Sequence, residues 1–67
     1  MTFYYEVYHY LNPNKKVLLA FRKEPSKMRV KDQACKEGFF SWKYYTELRV
    51  KKANQLIPLE LFHEVET

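Results

Sequence analysis

The sequence predicts an α+β fold: a small β-β-α-β-β domain with an antiparallel sheet and one helix packed on one face. Three observations carry that expectation. Residues 2–11 and 16–23 are runs rich in aromatic and β-branched residues on either side of Asn12-Pro13-Asn14-Lys15. Ser26 and Gly38 bracket a short amphipathic stretch, and residues 57–66 alternate apolar with polar side chains.

In the first run, Thr2 to Leu11 contain neither Gly nor Pro, which favours a strand. Pro13 pre-sets φ for a turn and Asn14 tolerates its second central position, so a hairpin is expected there. A bulged three-residue loop pairs odd positions with odd ones. It sets Glu6 opposite Arg22 and groups Val7, Leu11, Val17, Leu19 and Phe21 on one face. Tyr4, Tyr8, Tyr10, Leu18 and Ala20 share the other.

Glu24-Pro25-Ser26 ends the second strand. Ser26 suits an N-cap and Gly38 a C′ residue, so a helix is expected from about Lys27 to Glu37. On a helical wheel Met28, Val30, Ala34 and Cys35 face inward, with Arg29, Asp32, Gln33 and Lys36 outward. Phe39, Phe40 and Trp42 are expected to wrap the helix end as core. From about Tyr44, the choice between a helical stripe through Phe40, Tyr44 and Leu48 and a strand falls to the strand, because aromatic and β-branched residues dominate. A two-residue turn near Ala53-Asn54 pairs Val50 with Ile57 and Leu48 with Leu59 in a second hairpin, with Pro58 on an edge.

Length limits what this fold can hold. The 67 residues form a single domain, 1–67, and a chain of that size buries only about 60% of its unfolded surface. Aromatic residues make up 18% of it, and they are expected to supply much of the core. A lone cysteine, Cys35, excludes an internal disulfide and leaves too few soft ligands for structural zinc. That usage fits a reducing compartment and a cytoplasmic protein. Neither a leader pattern nor an apolar run of membrane-spanning length occurs, so no membrane partner is expected.

Chemistry-bearing constellations are sparse. His9, His63 and Cys35 fall at no catalytic or metal-ligating spacing, and Cys35 on the inner helix arc reads as a small buried hydrophobe. Glu60, Glu64 and Glu66 share one face of the last strand, where charge blunts an edge. With Gly38 the sole glycine, no phosphate-cradling loop forms. These absences point away from an enzyme, a metal site or a cofactor.

Charge is more informative. Residues 1–14 carry −1 and residues 53–67 carry −3, while residues 15–52 hold all 12 lysines and arginines against four acids, a net +8. Such a block attracts nucleic acid, single-stranded or duplex, or an acidic protein. The expected contacts are Lys15, Lys16, Arg22, Arg29, Gln33, Lys36, Lys43, Tyr45, Arg49, Lys51 and Lys52. On an open sheet face, bases would stack on Tyr4, Tyr8, Tyr10, Trp42 and Tyr45 while cations follow the backbone. On the helix, Arg29, Gln33 and Lys36 would enter a duplex groove. The alternative is a protein-binding regulator or inhibitor, of the kind a phage or mobile element encodes, directed at an acidic protein or nucleoprotein complex. A homodimer pairing edge strands or sheet faces is the third reading.

Overall fold

The structure is a computed structural model that describes residues 1–66. Four strands form one mixed sheet: β1 (Phe3–His9), β2 (Asn12–Phe21), β3 (Leu48–Lys52) and β4 (His63–Val65), in the order β3-β1-β2-β4. One helix, α1 (Lys27–Lys36), connects β2 to β3. The α+β class and the β-β-α-β-β order therefore stand, but the sheet is not wholly antiparallel. β1 runs antiparallel to both neighbours, whereas β4 joins β2 in parallel.

The first hairpin keeps its predicted parity and changes its register. Glu6 faces Leu18 rather than Arg22, and Val7 faces Val17. The turn lies at Tyr10-Leu11, and Pro13-Asn14-Lys15 form a bulge between the pairs His9↔Asn12 and Tyr8↔Lys16. A bulge accommodates Pro13, which has no N–H to give the ladder. Because the pairing slides by an even number of residues, Val7, Val17, Leu19 and Phe21 keep the expected core face, whereas Leu11, expected beside them, falls in the turn and is 66% exposed.

Helix α1 starts and stops where local chemistry dictates. The Ser26 Oγ accepts from the Arg29 N–H at 3.1 Å. At the other end Gly38 N–H donates to the Cys35 carbonyl at 3.0 Å and Phe39 N–H to the Ala34 carbonyl at 3.1 Å, the paired bonds of a Schellman motif. Gly38 has φ +84° and nothing within 4 Å of where a Cβ would sit. A substitution there meets no clash, only the left-handed backbone. Gly38→Ala is therefore expected to cost about 1–2 kcal/mol, read as a lower urea midpoint with an unchanged slope.

The core lies between α1 and one face of the sheet. Val7, Leu19, Phe21, Val30, Ala34 and Leu48 are buried there, with Tyr5, Cys35, Phe40 and Val65 around them. Trp42 does not join them. It is 56% exposed and stacks on Tyr45 with ring centroids 5.9 Å apart. The expected strand from Tyr44 is replaced over Trp42–Glu47 by a 3₁₀ segment capped by Ser41, and extended structure begins only at Leu48.

The second hairpin is also replaced. Asn54 opens a side-chain turn, its Oδ1 accepting from Leu56 N–H at 2.8 Å, and a 3₁₀ turn follows at Leu59–Leu61. β3 and β4 occupy opposite edges of the sheet, and the connection between them crosses the face away from α1. Phe62 packs there edge-on to Tyr4 at 4.9 Å. The alternation of Ile57, Leu59 and Leu61 thus belongs to a crossover, and Leu59 and Leu61 are each more than 60% exposed.

Candidate functional site

The crossover covers only one end of the second sheet face, where Tyr4, Ala20 and Phe62 lie. At the other end the face is formed by Glu6 and Tyr8 of β1, Lys16 of β2, and Arg49 and Lys51 of β3. Register fixes this grouping, because Tyr8 pairs with both Lys16 and Arg49 while Glu6 pairs with Lys51. Beyond this end of β1, Tyr10 in the turn is 49% exposed, and its ring stacks on His9 with centroids 5.8 Å apart.

Cations lie over these rings. The Arg49 guanidinium is centred 4.8 Å from the Tyr10 ring, and Lys51 Nζ is 5.8 Å from that of Tyr8. Arg49 is held in place by donating from Nη1 to the carbonyls of Thr46 at 3.1 Å and Leu48 at 3.0 Å. Among the described residues, Lys16 alone of the 12 lysines and arginines forms an ion pair with a carboxylate, leaving strong positive potential at the surface.

The acid in that pair is unusual. Glu6 is 3% exposed, at the centre of the face, with Lys16 Nζ 3.3 Å from its Oε1. The distance suits an ion pair, yet no hydrogen bond of good geometry reaches Oε1. Glu6, Tyr8, Pro13, Lys16 and Lys51 line a small hollow of about 170 Å³.

The other predicted contacts scatter. Lys15 sits over Phe40 at 5.5 Å and Lys43 over Tyr44 at 5.0 Å, near the His9 end of β1. Arg22 is exposed just beyond β2 and Lys36 at the last turn of α1. Gln33 is not on an outer arc. It is buried, with Arg29 Nη1 donating to its Oε1 at 3.4 Å and its Nε2 donating to Glu37 at 3.1 Å. The groove-reading set of Arg29, Gln33 and Lys36 is thereby broken up. Met28, expected to face inward, is 67% exposed, because it lies at the first turn of α1 beside the open cleft.

Tyr45 and Lys52 belong to a second surface, a cleft between α1 and β3. Lys27, Met28, Lys31, Tyr45, Leu48, Arg49 and Val50 line about 470 Å³ of it. Burial together with the nearby Asp32 carboxylate raises the Tyr45 phenol above its usual pKa. Its hydroxyl donates to the Met28 carbonyl at 3.4 Å. Lys27 and Lys31 were not among the expected contacts. Their i, i+4 spacing, which places both on one helix stripe, was the available signal.

Both histidines serve as ties. His9 Nε2 meets Glu47 Oε1 at 2.9 Å while its Nδ1 accepts from Leu11 N–H at 3.3 Å, so both ring nitrogens are engaged. His63 Nε2 meets Glu37 Oε2 at 2.7 Å, joining β4 to the end of α1. The Cys35 thiol is buried, and burial raises its pKa further, with Asp32 adding to the effect. A protonated, enclosed thiol is a poor nucleophile.

No protein-family model matches the chain, and no curated protein or solved structure is significantly similar to it. Among the described residues no helix is long and apolar enough to cross a membrane, and no group of three or more His, Cys, Asp and Glu side chains gathers at a metal-binding spacing.

Proposed function

We propose that this chain is a small, cytoplasmic, non-enzymatic protein that binds single-stranded nucleic acid on the uncovered half of its sheet. One observation carries the reading: Lys51 lies over the Tyr8 ring and Arg49 over the Tyr10 ring, and Lys16 pairs across from Tyr8. Single strands are held by this combination, with bases stacked on aromatic rings and cations along the phosphates. A base stacking on Tyr10 would either sandwich against the Arg49 plane or displace it toward a phosphate. A duplex-groove role for α1 has less support, since Gln33 is buried.

Titration of labelled single-stranded DNA, single-stranded RNA and duplex at two salt concentrations tests this. Binding to single strands is expected to weaken with a slope of about −0.7 log units per log unit of salt for each phosphate contacted. Tyr10→Ala should weaken it about tenfold, within the ~1–3 kcal/mol range of one stacked base. Lys51→Ala should lower both affinity and salt slope while leaving the fold intact. Absence of binding at low salt, or variants indistinguishable from the wild type, would refute the reading.

A further inference from the structure

The edge of β3 and the cleft beside it form a second surface, which meets the sheet face just described at Arg49 and Lys51. β3 is an outer strand, hydrogen-bonded on one side only, to β1. Which backbone groups face outward follows from the ends of that ladder. Tyr10 N–H donates to the Glu47 carbonyl at 3.3 Å and Ala53 N–H to the Tyr4 carbonyl at 3.0 Å. Hydrogen-bonded pairs alternate in an antiparallel ladder, so Arg49 and Lys51 turn their backbone groups toward β1, and Leu48, Val50 and Lys52 turn theirs outward.

Leu48 is already satisfied. Its N–H donates to the Tyr45 carbonyl, and its carbonyl accepts from Arg49 Nη1 at 3.0 Å. The open stretch is therefore Val50 and Lys52, two N–H and two C=O groups in a row. Unpaired groups of this kind are a template for another extended chain.

The cleft says what kind of chain. Its volume beside Lys27, Lys31 and Val50 is about 470 Å³, and a further hollow of about 290 Å³, sharing Lys27 and Val50, continues it past Lys52. Met28, 67% exposed, and Val50 provide an apolar floor. Lys27 and Lys31 line one wall and Arg49 and Lys52 the edge, none of them ion-paired to a carboxylate among the described residues, and the one acid lining the second hollow, Glu24, stands against Lys27, Lys51 and Lys52. A strand laid here points alternate side chains onto that floor and offers its main chain to Val50 and Lys52.

We infer that this edge takes an extended, acidic peptide segment of a partner protein, in which apolar residues alternate with Asp or Glu, as an added strand beside β3. A second copy of this chain fits poorly. Its β3 would set Arg49, Lys51 and Lys52 against their own like, and like charges placed opposite one another destabilise a strand pair. This inference does not rest on the nucleic-acid reading, which uses the rings of Tyr8 and Tyr10 rather than the β3 backbone.

The probe is a short fluorescent peptide alternating Leu with Glu, with Lys replacing Glu in the control, followed by anisotropy and by amide hydrogen exchange on the full chain. The acidic peptide should bind, the basic control should not, and the Val50 and Lys52 amides should gain protection. Val50→Pro deletes an outward N–H and leaves the β1 ladder intact, as edge prolines do. It should weaken peptide binding at least tenfold while single-stranded nucleic-acid binding stays unchanged. Lys27→Glu combined with Lys31→Glu should abolish peptide binding, and it provides a second readout if Val50→Pro does not fold. The inference is overturned if the peptide does not bind, or if binding leaves the Val50 and Lys52 amides unprotected. Displacement of the peptide by an oligonucleotide that protects the same amides would make the cleft a nucleic-acid groove and equally overturn it. So would a concentration-dependent dimer that Val50→Pro abolishes.

Discussion

Phe21→Ala is expected to remove a large share of the chain's stability at 25 °C, about 3–5 kcal/mol. Phe21 is 1% exposed, sits on an inner strand between Phe3 of β1 and Val65 of β4, and meets the Tyr5 ring edge-on at 6.0 Å. Truncating a buried Phe typically costs about 3–5 kcal/mol, through lost transfer free energy and the cavity left behind. Stabilities of about 0.05–0.15 kcal/mol per residue give a chain of this length roughly 3–10 kcal/mol in all. A single core ring is thus a large share of the total. Far-UV circular dichroism and a urea titration read the outcome, with Leu59→Ala as the control because Leu59 is 61% exposed on the crossover. A wild-type midpoint for Phe21→Ala would mean that the core between α1 and the sheet contributes far less than its burial implies.

The same contrast between buried and exposed apolar residues shows what the sequence made legible. The ends of α1 were readable because capping is local: a hydroxyl at Ser26 and a residue free to adopt positive φ at Gly38 suffice, whatever the rest of the chain does. Strand faces in the first hairpin were readable for a similar reason. Parity survives a slide by an even number of residues, so Val7, Val17, Leu19 and Phe21 share the core face although the turn lies at Tyr10-Leu11. Alternation over Ile57 to Leu61 misled, because the same pattern serves a crossover whose Leu side chains remain in solvent.

Of the differences on the helical side, those at Trp42 and Gln33 trace to composition. A small chain is short of apolar volume, which predicts Trp42 in the core, yet Phe40 fills the helix end and leaves Trp42 stacked outside on Tyr45. Polarity predicts Gln33 on the outer arc, but it follows Val30 by three residues and so shares its buried stripe. The candidate interface was legible in kind, as a cationic block interleaved with aromatic residues. Its location was not. Which cations meet which rings depends on strand order, and the position of β3 beside β1 is a long-range outcome that no local pattern encodes.

The pairing of Glu6 with Lys16 yields the second large expected effect on stability. Lys16→Met keeps the aliphatic stem over the sheet and removes the ammonium, stranding a carboxylate that is only 3% exposed. Leaving a buried polar group without a partner costs about 1–3 kcal/mol. The side chain of Lys16 is 49% exposed and Lys51 stands across the strand from Glu6, so the loss should fall toward the lower end of that range. Urea midpoints of four proteins test this: wild type, Lys16→Met, Glu6→Gln and the double variant. Lys16→Met alone should be the least stable, and adding Glu6→Gln should restore part of the loss, because a neutral amide is cheaper to bury than an unpaired charge. If the two substitutions are simply additive, the pair carries no coupling, and Lys16 is held on this face as a surface cation available to a phosphate rather than as the partner of Glu6.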